Sequence, residues 1–303
     1  MDILITDMHT DMWDKEPFKT FVPDKEKSKV DESKKMPAKY LATDGNHIWG
    51  NALFRNNGDG TFQEISDEVG AENYWPWGLS VGDLNSDGYE DVFIASSMNL
   101  GFRYAINSVL LNNQGEGFLD SEFILGVEPR RDGRTAAPWF TLDCDGADRE
   151  HEFCQGRSGL VEVWGALGSR SSVIFDFDDD GDLDIVTNDF NSEPMVLQSD
   201  LSDQKQIHFL KIRLRGTKAN RDGLGAKVTL KVGDRTLTQF HDGKSGYLAQ
   251  SSLPLYFGLD DATVVDRIEI DWPSGQKQTV DGPIKSNQTV TFEESNNTNN
   301  NNN

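Results

Sequence analysis

Acidic side chains stand at every second position of Asp176-Phe177-Asp178-Asp179-Asp180-Gly181-Asp182-Leu183-Asp184, and a glycine holds the sixth place. Two carboxylates about 4 Å apart repel by roughly 1 kcal/mol in bulk water and roughly 4 kcal/mol near a protein surface. Several converging carboxylates therefore oppose a compact loop unless a cation sits among them. Calcium fits, because it takes about 6–8 oxygens at roughly 2.3–2.6 Å from carboxylates, backbone carbonyls and water. The expected ligands are Asp176, Asp178, Asp180, Asp182 (by its backbone carbonyl) and Asp184. Gly181 is expected to supply the sharp turn.

The spacing recurs at Asp83-Leu84-Asn85-Ser86-Asp87-Gly88-Tyr89-Glu90-Asp91. Its expected ligands are Asp83, Asn85, Asp87, Tyr89 (by carbonyl) and Asp91. Asn85 replaces a carboxylate, so loop 176–184 is expected to bind calcium more tightly. A truncated third copy places Asp2 at the ninth position, since Met1 to Asp7 matches Leu183 to Asp189. Any one copy alone reads equally well as a solvated acidic turn. An EF-hand shares the first six positions but needs Glu at the twelfth and a helix beyond. Those places are Ile94 and Thr187, and both loops run into β-type apolar segments. The recurrence argues for an internal repeat with calcium loops.

A second unit alternates with the first. Ile48 to Ile65 reads as strand, Asn-Gly-Asp-Gly turn and strand, and Asn107 to Phe118 repeats it. Strand, acidic loop, strand and hairpin make four strands, one blade of a β-propeller. One blade reads Trp77 to Asp83, Asp91 to Ser96, Val109 to Asn112 and Phe118 to Phe123. The next reads Ser172 to Asp176, Asp184 to Asn188 and Met195 to Leu197. Residues about 14–46 and about 126–170 read as insertions; a short helix in the first is allowed.

These motifs resemble the FG-GAP/VCBS repeat family over roughly residues 1–200. The resemblance implies calcium-studded propeller blades, as in integrin α-chain heads and many secreted bacterial proteins. About two and a half blades are present, whereas propellers close with about 4–8. The expectation is a partial propeller, truncated at its N-terminus, with any signal peptide lost alongside the missing blades. From about Lys205 the acidic loops give way to short alternating strands over 207–292, expected to form a β-sandwich or barrel. Asn220-Arg221-Asp222-Gly223-Leu224-Gly225-Ala226, Ser245 to Ser251, and Leu255-Tyr256-Phe257-Gly258-Leu259 with Trp272-Pro273-Ser274-Gly275 resemble the ASPIC/UnbV domain. That domain commonly follows such propellers in cartilage acidic protein-like secreted proteins. The expected organisation is all-β: propeller blades over 1–204, an ASPIC/UnbV domain over 205–294 and a disordered Asn-rich tail over 295–303.

The 303 residues carry 51 acidic and 29 basic side chains, a net charge of −22. Such a surface does not seek nucleic acid or anionic lipid. No apolar run approaches the length of a membrane span. Weak calcium loops suit extracellular calcium, near 10⁻⁴–10⁻³ M in order of magnitude, so export is expected. Cys144 and Cys154 would then close a small polar loop; two free thiols are the alternative. A zinc site is disfavoured, because His151 is the only nearby nitrogen ligand. Gly243-Lys244-Ser245 lacks the earlier glycine of a phosphate loop, Thr238 standing there. Ser245 lacks a nucleophile elbow. Trp75, Trp77, Trp139 and Trp164 read as blade core or as a sugar-stacking surface.

The functional expectation is an extracellular calcium-binding adhesion or interaction module with a protein or glycan ligand. The alternatives are an accessory or catalytic part in polysaccharide or secondary-metabolite processing, and a structural spacer.

Overall fold

The structure is a computed structural model that describes residues 1–7, 51–71, 73, 75–97 and 104–295. The insertion expected at 14–46 and the tail beyond Ser295 lie outside these residues. The chain divides into two compact units, Met1–Pro76 and Trp77–Asn303.

In the first unit, β1 (Ile3–Ile5), β2 (Ala52–Asn56) and β3 (Phe62–Glu64) form an antiparallel sheet, followed by the short α1 (Ser66–Val69). Gly58 and Gly60 carry φ of +80° and +91° in the β2–β3 turn, a conformation that glycine alone adopts freely. Asn57 N–H closes that turn on Thr61 O at 3.0 Å.

The second unit opens with a four-stranded blade of β4 (Pro76–Gly82), β5 (Asp91–Ser96), β6 (Ser108–Asn112) and β7 (Phe118–Asp120), in that order. The next blade has three strands in the described residues, β10 (Gly168–Phe175), β11 (Asp184–Phe190) and β12 (Val196–Leu197). Strand β5, Asp-Val-Phe-Ile-Ala-Ser, is buried along its whole length. Phe93, Ala95 and Val109 of one blade meet Ile185 of the other in a shared core. Fully burying a Phe, Val or Ile side chain contributes about 1.5–3 kcal/mol. Between the blades stands a hairpin of β8 (Ala136–Asp143) and β9 (Leu160–Ala166), with a bulge at Pro138/Phe140. Cys144 and Cys154 are joined there, Cα atoms 5.2 Å apart, and pack with Leu142 and Val163.

The C-terminal part is a sandwich. Strands β13 (Phe209–Arg215), β16 (Leu255–Gly258) and β19 (Gln288–Glu293) form one sheet, with β13 central and parallel to β19. Strands β14 (Ala226–Val232), β15 (Arg235–His241), β17 (Val264–Asp271) and β18 (Lys277–Lys285) form the other, in the order β15-β14-β17-β18. Strand β14, Ala-Lys-Val-Thr-Leu-Lys-Val, buries every second residue, as an amphipathic strand must. Leu210, Ile212 and Phe257 face Val228, Leu230, Ile268 and Ile270 in one core. Glu294 fastens the end: its Oε2 accepts N–H groups of Thr217, Lys218 and Ala219 at 2.7–2.9 Å. Burial alone would raise its pKa, but these bonds and the Ser274 hydroxyl outweigh that and hold it at about 2.

The protein is thus all-β, a partial propeller followed by a sandwich, and none of its sheets closes on itself among the described residues. No helix among the described residues is long and apolar enough to cross a membrane.

Candidate metal centre

Both acidic loops connect two strands of a blade, 83–91 joining β4 to β5 and 176–184 joining β10 to β11. Their backbones match. The fourth residues, Ser86 and Asp179, lie in the left-handed region at φ +57° and +62°, as do Gly88 and Gly181 at +89° and +103°. The first carboxylate accepts the sixth residue's N–H in each, Gly88 to Asp83 Oδ2 at 2.7 Å and Gly181 to Asp176 Oδ2 at 2.9 Å. The ninth carboxylate is the staple. Asp91 accepts Leu84 and Asn112 N–H at 2.8 and 2.7 Å, and Asp184 accepts Phe177 and Ser199 N–H at 2.7 and 2.8 Å. In the first unit Asp2, the ninth residue of the truncated copy, accepts Asn56 N–H at 2.8 Å.

The remaining oxygens differ. In loop 83–91, Asp83 Oδ1 accepts Asp87 N–H at 3.0 Å, Asn85 donates to Asp87 Oδ2 at 2.9 Å, and Asp87 Oδ1 accepts Tyr89 N–H at 2.8 Å. In loop 176–184, one carboxylate oxygen each of Asp176, Asp178 and Asp184 lie within 4.8 Å of one another. Asp176 Oδ1 and Asp182 Oδ1 are buried and have no hydrogen-bond partner. A buried carboxylate oxygen without a partner costs about 1–3 kcal/mol or more, and a hard cation with oxygen ligands would satisfy it. Asp180 stands outside the trio and accepts the Ser202 hydroxyl at 2.8 Å, while Asp182 Oδ2 accepts Ser202 N–H at 2.7 Å. Asp178 takes an amide hydrogen bond from Gln198.

Electrostatics point the same way. Burial pushes Asp83 up to about 8, opposed by the Gly88 N–H and reinforced by Asp87, Asp91 and Glu90. Burial likewise raises Asp91 to about 7, against the N–H groups of Asn112 and Leu84. Asp182 and Asp184 are raised too, mainly by burial, with repulsion from Asp180 in both cases.

Residues distant in sequence complete the surroundings. Tyr256 on β16 pairs its hydroxyl with Ser86 Oγ at 2.8 Å and with Gly181 O at 2.9 Å, touching both loops with one oxygen. Neighbouring Gly258 leaves no room for a Cβ against Asp83 Oδ2. Arg235 donates to Asp87 O at 3.0 Å, Lys205 to Asn85 O at 2.6 Å, and Gln239 reaches Glu90. Phe209 packs on Gly181, and Lys211 lies 2.5 Å from Asp176 Oδ2. No spacing pattern in the sequence joins these residues to the loops; Tyr256 and Gly258 stand in the Leu255-Tyr256-Phe257-Gly258-Leu259 block.

Other candidates resolve differently. Cys144 and Cys154 bond to each other, and His151 Nδ1 accepts Phe153 N–H at 3.2 Å. Arg221 pairs with Asp222 at 3.0 Å. Trp75 and Trp77 are half-buried, Trp77 lying on β4 with the Arg170 guanidinium 3.8 Å from its ring centre, whereas Trp139 and Trp164 sit on the hairpin at 40% and 53% exposure. A buried polar cluster went unread: Arg130 pairs with Asp189 and donates to Ser169 Oγ at 3.0 Å, while Tyr104 donates to Glu128. It ties the insertion to β10 and β11 by bonds that carry no short-range signature.

Looped blades joined to a two-sheet sandwich define the class, and sequence comparison agrees. The FG-GAP-like repeat family matches residues 40–94, and the ASPIC and UnbV family matches residues 216–299. The chain therefore combines an FG-GAP-like repeat region with an ASPIC/UnbV domain. It is similar to "Cartilage acidic protein 1" of Xenopus tropicalis, 26% identical over 281 residues, which cover 78% of this chain and 40% of that protein. The chain spans less than half the length of this relative.

Proposed function

We propose that the chain is an extracellular interaction module whose acidic loops hold structural calcium. The observation that carries the calcium reading is the gathering of Asp176, Asp178 and Asp184, with Asp176 Oδ1 buried and without a hydrogen-bond partner. Asp176, Asp178, Asp180, the Asp182 carbonyl and Asp184 would hold one ion. Asp83, Asn85, Asp87, the Tyr89 carbonyl and Asp91 would hold a second, weaker one. Bound calcium would neutralise each loop and fix the strands that flank it. Export, and a protein or glycan ligand for the surrounding surface, are supported by the repeat family and by the similarity to a cartilage protein.

Calorimetric calcium titration of the chelator-stripped chain tests this. Two binding events are expected, with Asp176→Ala removing the tighter and Asp83→Ala the weaker. Equal losses of affinity would refute the ranking, and no calcium heat in the wild type would refute the reading. A carbohydrate-related role has one supporting observation, the exposed Trp139 and Trp164 on the hairpin. Glycan-array binding lost in a Trp139→Ala/Trp164→Ala variant would favour it.

A further inference from the structure

Lys211 belongs to the sandwich, yet its ammonium lies on the first carboxylate of loop 176–184. Its Nζ is 2.5 Å from Asp176 Oδ2 and 3.4 Å from Asp179 Oδ1. The Lys211 side chain is 12% exposed and that of Asp176 1%, so water and salt screen the pair poorly.

The lysine is held where it is. Its Nζ sits 5.4 Å from the centre of the Phe209 ring, which stacks on Tyr256 at 5.6 Å and presses on Gly181. Lys211 and Tyr256 are directly paired across β13 and β16, and the Tyr256 hydroxyl grips Gly181 O. Loop 83–91 is met differently. Arg235 and Lys205 reach it through the carbonyls of Asp87 and Asn85, and the carboxylate partner of Arg235 is Asp260, 3.9 Å away. Only in loop 176–184, among the described residues, does a cation of the sandwich pair with the carboxylate of an expected calcium ligand.

We propose that Lys211 is a tethered counter-cation that competes with calcium for loop 176–184, so that metal binding there and the grip of the sandwich on that loop oppose each other. The inference rests on the calcium reading above. A fixed positive charge beside the first ligand repels an incoming divalent ion and occupies one of the oxygens it needs. By linkage, whatever Lys211 takes from calcium affinity, calcium takes from the Lys211–Asp176 pair. Asp176 Oδ1 has no partner, so the ion has an oxygen to enter by while the lysine holds the other.

The test is calcium titration of the full chain by calorimetry, comparing wild type with Lys211→Met, Lys211→Gln and Lys211→Arg. Removing the charge is expected to tighten the 176–184 site by at least about tenfold, the factor one elementary charge produces at about 5 Å from a divalent ion even with full water screening. Lys211→Arg, which keeps the charge, is expected to stay near wild type. Two neutral variants guard against one failing to fold, and thermal melts verify both. Wild-type binding with unchanged or weaker affinity in the folded neutral variants overturns the inference and leaves the calcium reading standing. A wild type that binds no calcium overturns both.

Discussion

Loops 83–91 and 176–184 share spacing, left-handed fourth and sixth residues, and a ninth carboxylate that staples two backbone N–H groups. They part at the third position. Asn85 donates to Asp87 and so turns that carboxylate inward to its own loop, and Asp83 then closes on Asp87 N–H. Asp178 has no hydrogen to give, and its loop keeps three carboxylates gathered with two buried oxygens unmatched. One amide for one carboxylate separates a loop that satisfies itself from a loop built around something else. The scaffold is set by positions one, six and nine, and whether the carboxylates at one and nine gather with a third is set by position three.

The largest expected effect falls on the staple. Asp91→Ala and Asp184→Ala each strip the acceptor from two backbone donors, at about 1–3 kcal/mol per donor. Urea unfolding of the chelator-stripped chain should show losses of about 2–6 kcal/mol for both. Losses confined to one loop would break the claim of a shared scaffold. Next comes calcium. At about a hundredfold excess over Kd, a bound ion adds roughly 2.7 kcal/mol; thermal melts should show Asp176→Ala forfeiting more of that gain than Asp83→Ala.

A pH dependence sharpens the contrast. Asp83 is raised from 3.8 to about 8 and Asp91 to about 7, so the folded chain binds protons that the unfolded chain releases. Their contribution is therefore fully present below about pH 4 and is lost as pH rises through about 7 to 8. Melts of the calcium-stripped chain between pH 5 and 9 should show this decline, and Asp83→Asn should flatten it. Calcium affinity of loop 83–91 should rise over the same window, because the ligands must lose their protons. The smallest effect is Asn85→Asp, expected to tighten calcium at loop 83–91 only a few-fold. The added charge helps, while the amide bond to Asp87 is lost; calorimetry reads the balance.

Much of this was legible in the chain. The alternation of Ala-Lys-Val-Thr-Leu-Lys-Val placed β14, and the paired acidic loops and Asn-Gly hairpins placed the blades, because these signals are local. Strand β18 runs from Lys277 to Lys285, longer than the short strands read from sequence over 207–292. Its polar residues and Pro283 hid a strand that faces solvent on one side. The site was half legible. Asp176, Asp178 and Asp184 come together as their spacing implied, whereas Asp180 turns to Ser202. Tyr256, Lys211 and Gly258 reach the loops only through the packing of the sandwich, which no spacing rule foretells. The tryptophans divide, Trp139 and Trp164 exposed on the hairpin and Trp77 half-buried on β4, because a hairpin and a blade strand use the same residue type.

Diffraction from crystals of the full chain grown with calcium, collected where calcium scatters anomalously, tests the central claim most directly. The account expects a peak about 2.3–2.6 Å from oxygens of Asp176, Asp178 and Asp184. Carboxylates splayed into solvent around no peak, in crystals soaked at saturating calcium, would contradict it.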